Sequence, residues 1–397
     1  MVGLVANQPD QALIIVTILI AAILAPIMIV TAFFALELVI GLAPLKRSHS
    51  DQACPRAIIV IPAHDEEAVI GDTVSELEGF PVVVVADNCS DETAALARDA
   101  GAEVVVRHDP DHRGKGFALA AARDRLMGDP PSVVMVIDAD CRIDVGSLTA
   151  LASAAAAGRP CQAVNLLCPD RGGAAVVQIS TFAFMIKNLV RQRALQRLAG
   201  RAHLTGTGMA LPWSVFEAAN LGGSNIVEDL ALGLELAERS VPPTLVEAAT
   251  VWSPPASAAG TLVQRQRWEG GYLVTALRTV PKALARSLVR ADLKGVLAAI
   301  DLSIPPLTLL FVMNALGLLL AMAAVAIGAA VWPLLALVVV GTMAAAALAF
   351  AWAQEGRRFV SGATLLSLPL YVLWKLPLYL GLARRGAPRE WLRTGRN

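Results

Sequence analysis

The stretch Val-Val-Met-Val-Ile-Asp-Ala-Asp, residues 133–140, places two carboxylates directly after an uninterrupted apolar run. A run of this kind predicts a strand that is buried on both faces, as the strands of a parallel sheet are. Further predicted elements alternate before it along the chain: the strands 57–62, 82–86 and 103–107 and the helices 67–78 and 91–100. This alternation predicts an α/β fold with a parallel sheet.

Several polar residues fall at the ends of these predicted strands. Asp87 follows the second strand, and Asp138 and Asp140 follow the strand at 133–137. Open α/β sheets bind ligands in the crevice beyond the carboxyl ends of their strands. We therefore expect these carboxylates to share one crevice, together with His64, Asp65 and Glu66, which follow the first strand.

Two long apolar stretches, 12–36 and 302–354, contain no charged residue. Because about 20 apolar residues cross a bilayer, the first stretch is predicted to cross once and the second twice, with a turn near Trp332 and Pro333. The whole chain has 33 basic and 33 acidic residues. Its net charge therefore gives no reason to expect a nucleic-acid partner.

The block between the apolar stretches is predicted to lie in the cytoplasm. The first eleven residues contain no Lys or Arg, whereas Lys46, Arg47 and Arg56 follow the first span, and basic residues favour the cytoplasmic side. That span lacks a basic leader and is too long for a cleavable signal, so an anchor is expected. The five cysteines form no Cys-x-x-Cys pair and are expected to be free thiols in a reducing cytoplasm.

Basic residues recur every fourth position before the second apolar stretch, at Arg278, Lys282, Arg286, Arg290 and Lys294. This spacing predicts an amphipathic helix over 276–300 that lies on an anionic membrane surface, and the alternative is a solvated helix face. An earlier basic segment, from Lys187 to Arg201, is interpreted as a solvated face.

The predicted domains are an anchor at 1–45, a cytoplasmic domain at 46–275, the basic helix at 276–300 and a C-terminal membrane region at 301–397. Within the last of these, the segment 364–382 is apolar but contains Lys375, and five arginines follow it. A span there would place those arginines outside the cell. We therefore predict that the segment lies in or re-enters the cytoplasmic leaflet, with a third C-terminal span as the alternative.

The acidic and basic motifs predict phosphate and metal chemistry. Asp138 and Asp140 are suited to a divalent cation such as Mg²⁺ or Mn²⁺ whose remaining ligands are diphosphate oxygens. Taken alone, such residues often cap the following helix. Asp87 is suited to hydrogen bonds from a nucleobase or ribose. Lys115, in Arg-Gly-Lys-Gly, is suited to a phosphate, although the sequence is not a Walker-type loop.

Two later motifs complete the set. Glu228 and Asp229 open a helical pattern, where a carboxylate can act as a general base or merely complement the helix dipole. The segment Gln-Arg-Gln-Arg-Trp, residues 264–268, offers the planar cations Arg265 and Arg267 to phosphate oxygens. Trp268 offers an apolar platform to a sugar ring.

Together these motifs resemble the signature of the inverting family-2 membrane glycosyltransferases, which include cellulose and hyaluronan synthases and bacterial exopolysaccharide transferases. The resemblance rests on Asp87, Asp138-x-Asp140, Glu228-Asp229 and Gln264-x-x-Arg267-Trp268. Residues 61–67, Ile-Pro-Ala-His-Asp-Glu-Glu, are similar to the first strand of that family. The resemblance implies a GT-A-type nucleotide-sugar-binding domain inserted between transmembrane helices.

The resemblance also implies roles for individual residues. Asp229 would be the catalytic base, and Asp140, with Asp138, would bind Mg²⁺ or Mn²⁺. The implied donor site consists of Pro62, Glu66, Asp87, Lys115, Asp138, Arg265 and Arg267. The implied acceptor site consists of Gly206, Thr207, Gly208, Glu228, Gln264 and Trp268.

The expected reaction is transfer of a sugar from a nucleotide sugar, with a UDP-sugar as the expected donor, to a membrane lipid or lipid-linked glycan. The expected location is the bacterial inner membrane, with the catalytic domain in the cytoplasm. The alternatives are a processive polysaccharide synthase that completes its pore by self-association or with a membrane partner, a ceramide-type glucosyltransferase, and a non-catalytic nucleotide-sugar sensor. Three or four spans are few for the channel that a processive synthase needs.

Overall fold

The computed structural model describes residues 11–45, 55–222, 227–256 and 258–386. The flanking residues Lys46, Arg47, Arg389, Arg393 and Arg396, on which part of the topology prediction depends, lie outside these ranges. The strands are β1 (Ala57–Ala63), β2 (Val82–Asp87), β3 (Glu103–Arg107), β4 (Val133–Val136), β5 (Arg142–Ile143), β6 (Cys161–Leu167), β7 (Met209–Pro212) and β8 (Thr244–Ser253).

The helices follow one another along the same chain. They are α1 (Gln11–Gly41), α2 (Ile70–Glu76), α3 (Thr93–Asp99), α4 (Lys115–Leu126), α5 (Val145–Ala156), α6 (Ala175–Met185), a π-helix (Ile186–Arg191), α7 (Gln192–Ala199), α8 (Trp213–Glu217), α9 (Glu228–Glu238), α10 (Ala258–Val289), α11 (Leu293–Ser303), α12 (Leu307–Ala326), α13 (Trp332–Gln354), α14 (Gly362–Leu365) and α15 (Leu368–Arg385).

One mixed sheet of eight strands, in the order β3-β2-β1-β4-β7-β6-β8-β5, forms the centre of the molecule. The four predicted strands are confirmed, and they pair in parallel as expected. The second half was not predicted: β7 is antiparallel to both β4 and β6, and β5 is antiparallel to β8. Its strands escape a search for apolar runs because β6 buries the polar side chains of Gln162 and Asn165.

Helices cover both faces of this sheet. Alternate residues of β1 point to opposite faces, so Ile59 packs in one apolar layer with α2, α3 and α5, whereas Val60 packs in the other with α4, α8 and α9. Both side chains are fully buried. Burial on both faces explains why the parallel strands read as continuous Val and Ile.

Three helices are long and apolar enough to cross a membrane: α1, α12 and α13. They pack against one another around Gly317, where a Cβ atom would lie 3.1 Å from side-chain carbons of both Leu24 and Leu337. The predicted turn near Trp332 is confirmed, since α12 ends at Ala326 and α13 begins at Trp332. Within the described chain, α15 is not among the helices of this character.

The apolar tail segment packs on the helix that carries the Gln-x-x-Arg-Trp motif. Lys375 of α15 is buried and forms an ion pair with Glu269 of α10, and the Tyr379 hydroxyl donates to the same carboxylate over 2.9 Å. A buried ion pair to a helix of the α/β domain favours the non-spanning interpretation of this segment.

The basic helix predicted over 276–300 is not a separate element. Helix α10 runs without interruption from Ala258 to Val289, and α11 begins at Leu293 after a left-handed residue, Ala291, with φ of +52°. The surface of these two helices nevertheless exposes large apolar side chains beside the basic ones, at Leu277, Leu288, Val289 and Leu293.

The solvated-face interpretation of the Lys187–Arg201 segment is wrong for Arg191, although Lys187 and Arg197 are exposed. Arg191 is buried, and its guanidinium donates to Glu37 of α1 over 2.7 Å and to Asp301 of α11 over 2.8 Å. His203 lies 2.6 Å from the second oxygen of Asp301. The charge of Arg191 is thus compensated by partners that are distant in sequence. The spacing of basic residues along the segment cannot reveal such partners.

We expect Arg191→Met to destabilise the protein by about 3–5 kcal/mol, because it leaves two buried carboxylates without their cation. The matched control is Arg286→Met, which removes an exposed ion pair to Glu238 and should cost less than about 1 kcal/mol. Thermal unfolding of both variants in detergent tests this, and equal losses of stability would contradict the structural role of Arg191.

Candidate active site

A cavity of about 840 Å³ opens at the carboxyl ends of the parallel strands. All but one of the predicted site residues line it, although they are spread over some 200 positions of the chain. Its wall also includes Phe34 of α1, Leu307 of α12 and Tyr371 of α15. The cavity therefore extends from the sheet to helices of membrane-spanning character.

The Asp87 carboxylate is fixed at one end of the cavity. Arg107 of β3 donates to it over 2.6 Å, and the side chain of Asn88 donates over 3.0 Å. His64 binds the Asp87 backbone carbonyl over 2.7 Å, which requires its Nδ1 to carry the proton. These bonds hold Asp87 rigidly, as recognition of a nucleoside hydroxyl or base edge demands. Sequence reasoning missed Arg107.

Lys115 connects three separate parts of the cavity wall. It begins α4, and its ammonium donates to the Asp138 carboxylate and, over 2.7 Å, to the backbone carbonyl of Gly206. Burial alone would lower the pKa of Lys115, but the charge of Asp138 raises it above its ordinary value. A permanently charged ammonium therefore lies among the acidic groups of the site.

The Asp138–Asp140 pair fits a hard divalent cation. Ligand atoms of Asp138, Asp140 and Cys141 lie within 4.8 Å of one another. Burial and the neighbouring Asp140 raise the pKa of the Cys141 thiol well above its ordinary value. Mg²⁺ and Mn²⁺ prefer carboxylate oxygens to soft sulfur, so the two carboxylates are the expected donors.

Glu228 and Asp229 form the first turn of α9 and face the same ammonium. Burial raises the pKa of Asp229, and burial together with the Asp229 charge raises the pKa of Glu228 to about 7. Lys115 lowers the pKa of both. Carboxylates whose pKa is raised in this way are suited to accept a proton near neutral pH.

Gly206 allows the loop before β7 to approach these charges. Its φ is +87°, and a Cβ atom there would lie 3.3 Å from a carboxylate oxygen of Asp229 and 3.7 Å from the Lys115 ammonium. Thr207 also contributes, because its hydroxyl accepts the Asp138 backbone N–H over 3.1 Å.

Gly208 is the predicted site residue that does not line the cavity. A Cβ atom there would lie 2.8 Å from a methyl group of Val251 and 3.0 Å from the Ala163 side chain. Its backbone, with φ of +67°, packs on the sheet. Gly208 therefore packs closely against the sheet, and its predicted acceptor role stays a prediction.

The Gln-x-x-Arg-Trp segment lies in α10 and covers the cavity. Gln264, Arg267 and Trp268 line it, as predicted, and their individual roles remain predictions. Arg265 differs, because its guanidinium donates to the hydroxyl of Ser180 over 2.7 Å and to the Ser180 carbonyl over 3.0 Å.

Arg265 also lies over the rings of Phe184 and Trp268. Through these contacts Arg265 joins α10 to α6 and orients Trp268. The contacts do not support the predicted contact with phosphate oxygens.

The model of a family described as "Glycosyltransferase like family 2" matches residues 55–271, more than half of the chain. The chain belongs to glycosyltransferase family 2. The predicted family is thereby confirmed, and the match covers the whole sheet and the Gln-x-x-Arg-Trp segment. It does not assign the cellulose or hyaluronan synthase subtype.

Similar proteins agree with this membership. The family-2 chain is 31% identical over 111 residues to a low-salt glycan biosynthesis hexosyltransferase of Haloferax volcanii, covering 26% of this chain and 25% of that protein. It is 34% identical over 94 residues to an uncharacterized glycosyltransferase of Mycobacterium bovis, covering 23% of this chain and 40% of that protein. The chain thus spans two fifths or less of the length of these relatives.

A solved structure shows the same fold. It is a mannosyltransferase from Pyrobaculum calidifontis in complex with GDP-Man and Mn²⁺, with a TM-score of 0.53 at 16% identity, and it covers 92% of this chain and 99% of that chain. Identity this low shows the fold alone. The predicted GT-A-type α/β fold is confirmed.

The position of Gly206 predicts that a side chain there reduces the activity of this family-2 protein. Gly206→Ala forces a side chain into a left-handed backbone beside Asp229, and we expect at least about a tenfold loss in the rate of nucleoside diphosphate release. Gly200→Ala is the matched control, because its φ is +66° but nothing lies within 4 Å of its Cβ position. Both should lose stability, by about 1–2 kcal/mol, yet the control should keep its rate. Equal rates in the two variants would show that close approach at Gly206 does not matter.

Proposed function

We propose that this protein is a membrane-bound inverting hexosyltransferase that moves a sugar from a nucleotide sugar to a hydroxyl group of a membrane lipid or lipid-linked glycan. The observation that carries this proposal is the continuous cavity, which has carboxylates at the sheet end and membrane-type helices at the other. We place the protein in the bacterial inner membrane with the α/β domain in the cytoplasm.

The donor end of the cavity is the part around Asp87, Lys115 and Asp138. Asp87, held by Arg107, binds the nucleoside. Mg²⁺ or Mn²⁺, when held by Asp138 and Asp140, supplies positive charge to the diphosphate oxygens. The structurally similar mannosyltransferase was solved with GDP-Man and Mn²⁺, which supports a nucleotide sugar as the donor class.

Transfer follows from the position of Asp229. The acceptor hydroxyl oxygen forms a bond to the anomeric carbon as the bond from that carbon to the diphosphate breaks, and the electron pair stays with the leaving nucleoside diphosphate. Asp229 takes the hydroxyl proton, which its raised pKa favours. Lys115 stabilises the charge that develops on the diphosphate. A single displacement of this kind inverts the anomeric configuration.

The acceptor end favours a lipid. Phe34, Ile304 and Leu307 line it, and the last of these begins a helix of membrane-spanning character. Exposed Leu288 and Leu293 on α10 and α11 lie beside basic residues, as in helices that bind anionic membrane surfaces. This surface of α10 and α11 is therefore suited to lie on a membrane.

The proposal predicts donor-dependent turnover by the purified full-length protein. With Mg²⁺ or Mn²⁺ and a membrane lipid extract, one hexose donor from a panel of UDP- and GDP-sugars should give nucleoside diphosphate and a glycosylated product. Asp229→Asn should reduce transfer by at least about a thousandfold while nucleotide binding is retained, because a general base contributes factors of roughly 10²–10⁴.

The control for this experiment is Asp170→Asn, which changes an exposed carboxylate that does not line the cavity and should leave transfer intact. A ladder of long products would identify a processive synthase, which would overturn the single addition proposed. Failure of every donor to give nucleoside diphosphate would overturn the enzymatic assignment.

The rate should also depend on pH in a defined direction. The base must be deprotonated, and its pKa lies above its ordinary value, so transfer should fall on the acidic side at a pH above the range of a free aspartate, about 3.9. Asp229 is already charged when Glu228 titrates with a pKa of about 7, so Glu228 is neutral where Asp229 ionises, and Glu228→Gln should leave this acidic limb in place. The pH profile of kcat in the two proteins tests this, and a limb that moves with Glu228→Gln would assign the titration to Glu228 instead of Asp229.

A further inference from the structure

Lys187 is a cation of the cavity that the reaction proposed above does not use. It lies in the π-helix between α6 and α7, and its side chain lines the cavity. The ammonium lies 4.8 Å from the centre of the Tyr272 ring. Within the described residues, no carboxylate lies within ion-pair distance of it.

The other cations of the same wall have partners. Lys115 pairs with Asp138, Arg191 pairs with Glu37 and Asp301, and Lys375 pairs with Glu269. Arg191 is only four residues from Lys187, yet Arg191 forms ion pairs and Lys187 forms none within the described residues. A cation that lines a cavity and has no ion-pair partner is available to an anion, so its presence here points to a ligand.

The Lys187 side chain is exposed and lines the cavity. Desolvation by the surrounding protein lowers the pKa of Lys187 to about 8. The ammonium thus remains mostly protonated at neutral pH, and an anion beside it would stabilise it further.

The position of Lys187 lies towards the acceptor end. The Tyr272 ring beneath it donates its hydroxyl to the carbonyls of Leu302 and Ile304, each over 3.1 Å. Ile304 lies just before Leu307, where α12 begins. Lys187 is therefore close to the point at which the chain enters a helix of membrane-spanning character.

A second polar group in this part of the cavity also lacks a partner. Tyr371 of α15 lines the cavity, and its buried hydroxyl has no hydrogen-bond partner within the described chain. The ring is 5% exposed, so bulk water does not reach the hydroxyl freely. A buried hydroxyl without a partner loses free energy, which a polar headgroup of a ligand would recover.

From these observations we propose that Lys187 binds a phosphate group esterified to the lipid acceptor, whose hydrocarbon part extends along Phe34, Leu307 and Tyr371. The inference rests on the proposed function and specifies its acceptor as a phosphate-bearing lipid. The phosphate is bound and is not attacked: a hydroxyl of the same lipid-linked group gives its proton to Asp229, forms the bond to the anomeric carbon and releases the nucleoside diphosphate.

The test is a binding experiment on full-length protein in detergent. The probes are farnesyl phosphate, its neutral analogue farnesol, and inorganic phosphate, titrated in the presence of saturating nucleoside diphosphate and Mg²⁺. We expect farnesyl phosphate to bind about tenfold or more tightly than either other probe, as a charge-assisted bond predicts. Lys187→Met should abolish this preference, and Lys187→Arg should retain it. Arg98→Met, which removes an exposed cation of α3, is the matched control and should retain it too.

Three results would overturn the proposal. Equal affinities for farnesyl phosphate and farnesol would show that no phosphate site exists. Inorganic phosphate that binds as tightly as farnesyl phosphate would show a site for free anions. A preference that survives Lys187→Met would assign the anion to another cation. These measurements need no turnover, so their failure is distinct from a failure to detect nucleoside diphosphate release.

Discussion

Hydrogen bonds from the Lys115 ammonium hold together the end of the cavity that carries the carboxylates. Lys115 joins the start of α4 to the end of β4 through Asp138 and to the loop before β7 through the Gly206 carbonyl. Asp138, Glu228 and Asp229 would repel one another in a protein interior without a cation among them. Lys115 offsets that repulsion, and the left-handed glycine at position 206 is what brings its carbonyl within reach. The catalytic geometry depends on this contact.

A second buried network fixes the opposite end. Arg191 connects Glu37 of α1 to Asp301 of α11, and His203 joins the same aspartate. His203 lies three residues before Gly206, so the loop that approaches Asp229 begins at a group tied to an apolar, membrane-type helix. The loop that contains Gly206 is thereby fixed from both sides, which limits how far α1 and Asp229 can move apart.

The sequence predicted the elements that a continuous apolar run marks, and missed those that polar contacts organise. Strands β1 to β4 were found because their side chains are apolar on both faces. Strand β6 was not, since it buries Gln162 and Asn165. The motif residues converge as expected because they follow neighbouring strands or cover them. The partners of Arg265 and Arg191, which are Ser180 and Glu37, could not be predicted because they are far away in sequence.

Helix α10 explains how a water-soluble donor and a lipid could meet. It carries Trp268 over the cavity and the exposed Leu288 near its end, and at 1.5 Å per residue these positions are roughly 30 Å apart along one helix. In the proposed reaction, a nucleotide sugar enters from the sheet side, and a lipid enters at the start of α12, where its phosphate binds Lys187 and its hydroxyl meets Asp229.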